Sequence, residues 1–175
     1  MSYTLQKPET RYHLEMRRPE ELRPAPPVPE ELELKRLEYP DPELRRYLYQ
    51  QVGEEWAWRD RAYWTDDEWT AHFYRSDVEI WVLWFHHEPA GYFELESTEC
   101  GCVRITHFGL RESFMGRGIG GYLLTLALRR AWSIGAARVW LHTSSLDHPH
   151  ALANYQARGL RLFKTEVVAP AATEH

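Results

Sequence analysis

Phe114-Met115-Gly116-Arg117-Gly118-Ile119-Gly120-Gly121-Tyr122-Leu123-Leu124 is the stretch on which the reading of this chain turns. The run before it, residues 103–110, predicts a strand. The run after it, residues 122–134, predicts a helix with Leu124, Leu128 and Ala131 on one face and Leu123, Ala127 and Ile134 flanking them; Gly135 ends it. Gly116, Gly118, Gly120 and Gly121 therefore fall where a strand becomes a helix. Glycine lets bare backbone approach a ligand, and a helix start presents unpaired N–H groups to an anion. The stretch reads as a phosphate cradle.

Its sequence separates the known kinds of cradle. A kinase-type P-loop needs Lys-Ser/Thr after its last glycine, and here Gly120 is followed by Gly121 and Tyr122. Gly116, Gly118 and Gly121 spell the dinucleotide pattern G-x-G-x-x-G. That pattern wants an acidic residue after the next strand, yet residues 137–143 lead only to Thr143 and Ser144. The chain left after Gly121 is also too short for the rest of a dinucleotide fold. The loop instead resembles the pyrophosphate loop of the GNAT N-acetyltransferase superfamily, Q/R-x-x-G-x-G/A after a strand ending in an aliphatic residue. Leu110 is the aliphatic, and Met115, Gly116, Arg117, Gly118, Ile119 and Gly120 fill the loop, with Met115 where the family usually has Gln or Arg.

A second segment, residues 148–160 (HPHALANYQARGL), is similar to the later motif of the same family, N-x-x-A-x-x-x-Y-x-x-x-G-F. Ala151, Tyr155 and Gly159 match; His148 replaces Asn and Leu160 replaces Phe. His148 and Tyr155 stand two helical turns apart and so share a face. The order of elements also looks like that family: strand, two helices, three antiparallel strands, glycine loop and helix, parallel strand, helix, strand. Asp41-Pro42 and the capping box Thr65-x-x-Glu68 open the two helices, and Asp147 is expected to cap the short late one. The fold class expected is α+β, a largely antiparallel mixed sheet splayed at the glycine loop and flanked by about four helices.

The resemblance implies acetyl transfer from acetyl-coenzyme A to a primary amine of a small molecule or an amino acid, by direct attack in a ternary complex. It implies that the loop amides from Met115 to Gly121 hold the cofactor, that the Leu110 N–H polarises the thioester, that His148 meets the pantetheine, and that Tyr155 protonates the departing thiolate. The base is a separate question, because Arg104 occupies the position where many members carry glutamate. A tight turn at residues 97–101 would set Glu94 opposite Arg104, making Glu94 the base, the ammonium ligand or a structural partner of that arginine. If Arg104 faces the cleft it can hold a substrate carboxylate. His107 is the other base candidate; its parity turns it away from Arg104 unless Gly109 bulges the strand.

The whole chain is consistent with one domain. Residues 1–30, rich in proline and charge, read as an extension packing on or near a GNAT-like domain at 31–168, with 169–175 a disordered tail. A net charge of −5 argues against nucleic acid. No apolar run reaches membrane-spanning length, and no apolar signal core opens the chain, so no membrane partner and a cytoplasmic location are expected. Cys100 and Cys102 are too close for a typical zinc pair, and Asp147, His148, His150 and His142 are too irregularly spaced for ligands, so no metal is expected. Trp56, Trp58, Trp64 and Trp69 read as packing residues. The expected state is a monomer or homodimer. Two competing readings remain: a non-catalytic coenzyme A sensor, and a Trp-rich structural or interaction domain.

Overall fold

A single parallel pairing in an otherwise antiparallel sheet positions the site. The computed structural model describes residues 8–56 and 58–168; the expected tail lies outside them. Strands β1 (Glu9–Met16), β2 (Leu32–Arg36), β3 (Val78–Phe85), β4 (Glu88–Ser97), β5 (Cys102–Leu110), β6 (Arg138–Ser144) and β7 (Arg161–Val168) form one mixed sheet in the order β2-β3-β4-β5-β6-β1-β7. Helices α1 (Pro42–Gly53), α2 (Asp66–Phe73), α3 (Ile119–Ser133) and α4 (Ala151–Ala157) flank it.

The helix starts follow their capping chemistry. Asp41 accepts from the Leu44 N–H at 3.2 Å with Pro42 in the first turn, and Thr65 accepts from the Glu68 N–H at 3.2 Å. Helix α3 buries Leu123, Leu124, Ala127, Leu128 and Ala131 in a core shared with Leu83, Phe93, Leu95, Val103 and Ile105. Helix α1 packs Leu48 and Val52 with Val82 and Tyr92 in a second cluster. A Cβ on Gly109 would stand 2.3 Å from Val52 Cγ1, so glycine lets α1 settle onto β5.

Strands β5 and β6 pair only at Cys102↔Arg138, Val103↔Val139 and Arg104↔Trp140. Beyond Arg104 they part, while β6 stays paired to β1 as far as Arg11↔Ser144. The result is a wedge with backbone polar groups of β5 on one wall, and buried backbone groups of that kind need partners.

The structure departs from the sequence reading in four places. Residues 9–16 are an interior strand between β6 and β7, with Leu14 and Met16 fully buried, so part of the expected extension is built into the sheet. Helix α3 begins at Ile119, taking Gly120 and Gly121 into its first turn. Helix α4 begins at Ala151 without a side-chain cap; Asp147 instead accepts from Thr143 Oγ1 at 2.5 Å, the Ser144 N–H at 2.8 Å and Trp58 Nε1 at 3.2 Å. The irregularity in β5 lies at Thr106, not Gly109: Glu94 pairs with His107 and Leu95 with Ile105. That extra residue reverses the parity and puts Arg104 and His107 on one face of the sheet. It also sets Glu96, not Glu94, opposite Arg104.

Candidate active site

Two cavities meet in the wedge. One, of about 530 Å³, runs along the glycine loop and is lined by Leu110, Met115, Gly116, Gly120, Gly121, His148, Asn154 and others. The other, of about 350 Å³, opens toward Glu9, Arg11, Arg59, Asp60, Arg104, His107 and His142. Trp56, Trp58, Phe108, Asp147 and Tyr155 line both.

The first cavity is made mostly of backbone. Gly116 (φ 77) and Gly118 (φ 78) adopt left-handed conformations that side chains disfavour. Gly118 caps α3 without a side chain, and the first intrahelical bond runs from the Tyr122 N–H to the Gly118 carbonyl at 3.2 Å. The amides of Ile119, Gly120 and Gly121 therefore have no partner within the helix. The Met115 N–H is already donated to the Glu112 carbonyl at 3.1 Å and is not part of the cradle, although the Met115 side chain lines the cavity. Arg117 is exposed on the loop and Ile119 is core. The first thirty residues reach this place too: Ala25 donates its N–H to Thr125 Oγ1 at 3.0 Å, and a Cβ on Gly121 would lie 3.1 Å from Ala25 Cβ.

Ladder geometry fixes where the Leu110 amide points. The Arg111 N–H bonds the Ala90 carbonyl at 2.8 Å, and in an antiparallel pair such bonds alternate. Leu110, paired with Gly91, therefore turns its N–H away from β4 and into the wedge, as does Phe108.

Tyr155 stands at the junction with its ring 5.9 Å from Phe108. Burial, with the negative Asp147 adding to it, pushes its phenol above the ordinary range, so it holds its proton. His148 lies against Trp56 at 4.9 Å between ring centroids, and its Nδ1 accepts from the His150 N–H at 3.0 Å.

The second cavity rests on a buried charge network. Glu94 is 1% exposed and lines neither cavity; its Oε1 accepts from Arg45 Nη2 at 2.7 Å and Arg61 Nη1 at 2.8 Å. Burial pushes its carboxyl up, but Arg61, His107 and Arg45 outweigh that and hold it well below the ordinary range. His107 Nδ1 lies 3.5 Å from Glu94 Oε2, and its Nε2 is 3.0 Å from Asp60 Oδ2. Burial pulls the imidazole down, yet Glu94 and Asp60 raise it above its ordinary value. Asp60 has a side chain 59% exposed at the cavity wall. Burial raises its carboxyl, but the His107 hydrogen bond and charge bring it down to about 2. Tyr49 donates to Asp60 Oδ1 at 2.9 Å and accepts from the Arg61 N–H at 3.1 Å. Trp58 stacks on His107 with centroids 4.9 Å apart, so Trp56 and Trp58 are walls of the site while Trp64 and Trp69 pack together beneath it.

Sequence reasoning therefore brought Leu110, Gly116, Gly120, Gly121, His148 and Tyr155 to one cavity and Arg104 and His107 to the other, but left Glu94 in neither. It missed Asp60, Arg45 and Arg61. Arg45 had a local signal: it shares the i, i+3, i+4, i+7 stripe of α1 with Leu48, Tyr49 and Val52, an apolar face on which a lone arginine asks for a buried partner. Among the described residues no group of three or more His, Cys, Asp or Glu could hold a metal ion, and no helix is long and apolar enough to cross a membrane.

Comparison with known proteins adds family context. Residues 31–160 match the model of the acetyltransferase (GNAT) family. A mycothiol acetyltransferase of Corynebacterium efficiens is 29% identical over 92 residues, 53% of this chain and 31% of that protein. The chain thus matches about a third of that curated relative's length. A GCN5-related N-acetyltransferase from Sphaerobacter thermophilus superposes with a TM-score of 0.69 at 17% identity, covering 93% of this chain and 51% of that one. A Bacillus subtilis acetyltransferase solved in complex with CoA is 26% identical, with a TM-score of 0.58 over 75% of this chain and 77% of that one.

Proposed function

We propose that this chain, which belongs to the acetyltransferase (GNAT) family, moves an acetyl group from acetyl-coenzyme A to a primary amine of a small molecule or an amino acid. The observation that carries the reading is the junction at Tyr155, where an amide-lined groove and a charged pocket open onto one another through the wedge between β5 and β6. The groove fits the cofactor. Its free amides sit at a helix N-terminus, its glycines keep side chains out, and its remaining lining is largely apolar. The CoA complex of the Bacillus subtilis relative supports the same assignment.

Acetyl-coenzyme A, when bound, supplies the acetyl group as a thioester. The amides of Ile119, Gly120 and Gly121 and the α3 dipole hold its pyrophosphate. The Leu110 N–H donates to the carbonyl oxygen on which charge grows, and donors of this kind are worth on the order of 3–4 kcal/mol. Asp60 receives the incoming ammonium; its low pKa makes it an orienting ligand, and the proton leaves through the open pocket to water. As the N–C bond forms and the C–S bond breaks, the Tyr155 hydroxyl gives the sulfur its proton. Glu94, the base expected from the sequence, is given a different task here: with Arg45 and Arg61 it holds His107, which holds Asp60.

Calorimetric titration of acetyl-coenzyme A into the wild type and into Gly118→Trp, followed by thiol release with an amine panel, tests the proposal. Binding by the wild type, its loss in the variant and thiol release with an amine are expected. No binding by the wild type would overturn both the transferase reading and the sensor reading. Binding without thiol release from any amine would leave the sensor.

A further inference from the structure

The arginines of this molecule divide into two sets. Arg45, Arg61, Arg75, Arg130 and Arg138 each meet a carboxylate. Arg104, Arg11 and Arg59, which line the second cavity, take part in no ion pair among the described residues.

Arg104 is the most confined of the three. Its guanidinium lies 5.0 Å over the Trp140 ring, and its Nη2 is 2.5 Å from His142 Nε2. Its Nε is buried without a hydrogen-bond partner. Arg11 approaches from β1, where it pairs with Ser144 beside His142. The field these groups make is visible at His142: burial first, then Arg104 and Arg11, bring its imidazole down to about 4, so it stays neutral. Two guanidiniums thus share a partly dehydrated wall with a neutral imidazole. A buried charge without a partner is costly, and a planar carboxylate is the group a guanidinium fork matches.

Negative groups face the same cavity elsewhere. Asp147 is committed to Thr143, Ser144 and Trp58. Glu9 stands at the β1 end. Asp60 lies on the loop between α1 and α2, with most of its side chain exposed. The cavity therefore presents guanidinium on one wall and carboxylate on another, the complement of a zwitterion, in a volume of about 350 Å³.

We propose that the acceptor is an amino acid or another small amine bearing a carboxylate, the carboxylate held by Arg104 and Arg11 and the ammonium by Asp60 beside the wedge. This rests on the acetyl-transfer reading for its amine half only; the carboxylate subsite stands on the arginines alone. A polycation such as spermidine would meet like charge on the β5–β1 wall.

The test pairs each amine with its counterpart lacking the acid: phenylalanine with phenethylamine and phenylalaninamide, β-alanine with ethylamine. In thiol-release assays the wild type is expected to prefer the carboxylated member by ~10–100-fold in kcat/KM, the range of a charged hydrogen bond. In Arg104→Gln and Arg11→Gln that preference collapses, mostly through KM. Arg104→Lys keeps the charge without the fork and falls between. A binding arm needs no turnover: N-acetylglycine and N-acetylaspartate should raise the melting temperature of the CoA-saturated wild type and not that of Arg104→Gln.

Turnover without carboxylate preference, unaltered in Arg104→Gln, would overturn the subsite and leave acetyl transfer standing. Stabilisation by the N-acetyl acids, lost in Arg104→Gln, with no amine turned over would uphold the subsite and sink the transfer reading. Neither turnover nor stabilisation would sink both.

Discussion

The two cavities that meet at Tyr155 are built on opposite principles. The groove along α3 is backbone work: left-handed glycines, a helix start without a side-chain cap, and a strand amide turned outward because its neighbour has parted. Most of it comes from one run of sequence. The pocket beside it is side-chain work, assembled from β1, β4, β5, β6, α1 and the loop before α2. Its floor is a dry cluster of charges in which Arg45, Arg61, His107 and Asp60 are ordered around Glu94. A backbone site tolerates changes in the side chains around it. A site hung on a buried charge network depends on every member of that network, because an unpaired charge in the interior costs several kcal/mol.

The sharpest way to break this comparison is at Glu94. Glu94→Ala leaves two buried guanidiniums facing each other without a counter-ion, and loss of one partner of a buried pair costs about 3–5 kcal/mol. Urea denaturation should show a loss of that size. If the groove is independent of the network, acetyl-coenzyme A affinity in the cold-folded variant should stay within about threefold, since separate sites add to roughly 0.5 kcal/mol. A loss of affinity as large as the loss of stability would mean that the two cavities are one cooperative unit.

Tyr155 belongs to both cavities and so tests their meeting point. Tyr155→Phe keeps the ring against Phe108 and removes only the hydroxyl. A lost general acid typically costs 10²–10⁴-fold, and kcat should fall by roughly 10²-fold or more with the dissociation constant for acetyl-coenzyme A little changed. An unchanged kcat would make Tyr155 a packing residue and move the acid elsewhere.

The contrast between the cavities also explains which parts could be read from sequence. The groove was legible because glycine spacing and a helix start are local, and residues 114–124 carry both. Leu110 was legible for the same reason, as the last residue of a strand that runs into the loop. The pocket was not. Its members come from distant parts of the chain, and one inserted residue, Thr106, decides which way Arg104 and His107 face. Alternation placed Glu94 opposite Arg104; the bulge moved it opposite His107, where Arg45 and Arg61 close over it. Strand β1 was out of reach for a related reason. Residues 9–16 alternate well enough to read as a strand, but nothing local says that it will enter between β6 and β7 and carry Arg11 to the site.

Within the groove, Gly118 sharpens the claim that conformation, not space, is what the loop requires. A Cβ there would have only Val28 Cγ1 within 4 Å, at 3.8 Å, so Gly118→Ala is sterically open. Its φ of 78 is the obstacle, and the left-handed region costs an ordinary residue roughly 1–2 kcal/mol. Affinity for acetyl-coenzyme A should fall by about tenfold if the loop shifts to escape that strain. If affinity holds while the melting temperature drops, the strain is absorbed without moving the amides.

The smallest effect is also the one that separates the cavities by pH. His107 is raised in the folded protein above its model value of 6.5, chiefly because Glu94 and Asp60 overcome the penalty of burial. The fold therefore favours the imidazolium. Its contribution to stability is fully present below pH 6.5 and is lost as pH climbs through the raised folded value. Asp60 runs the other way: lowered from 3.8 to about 2, it contributes above pH 3.8 and stops contributing as pH falls toward 2. Together they put the best pH for this pair between those limits. The melting temperature of the wild type minus that of His107→Gln, measured from pH 5 to pH 9, should therefore narrow on the alkaline side. Asp60→Asn should lower the pH at which the narrowing begins, because it removes one of the two carboxylates that hold the proton on. A gap that is constant across the range would show His107 neutral throughout, and the link from Glu94 to Asp60 would then be an ordinary hydrogen-bonded contact with no stored charge to organise an incoming ammonium.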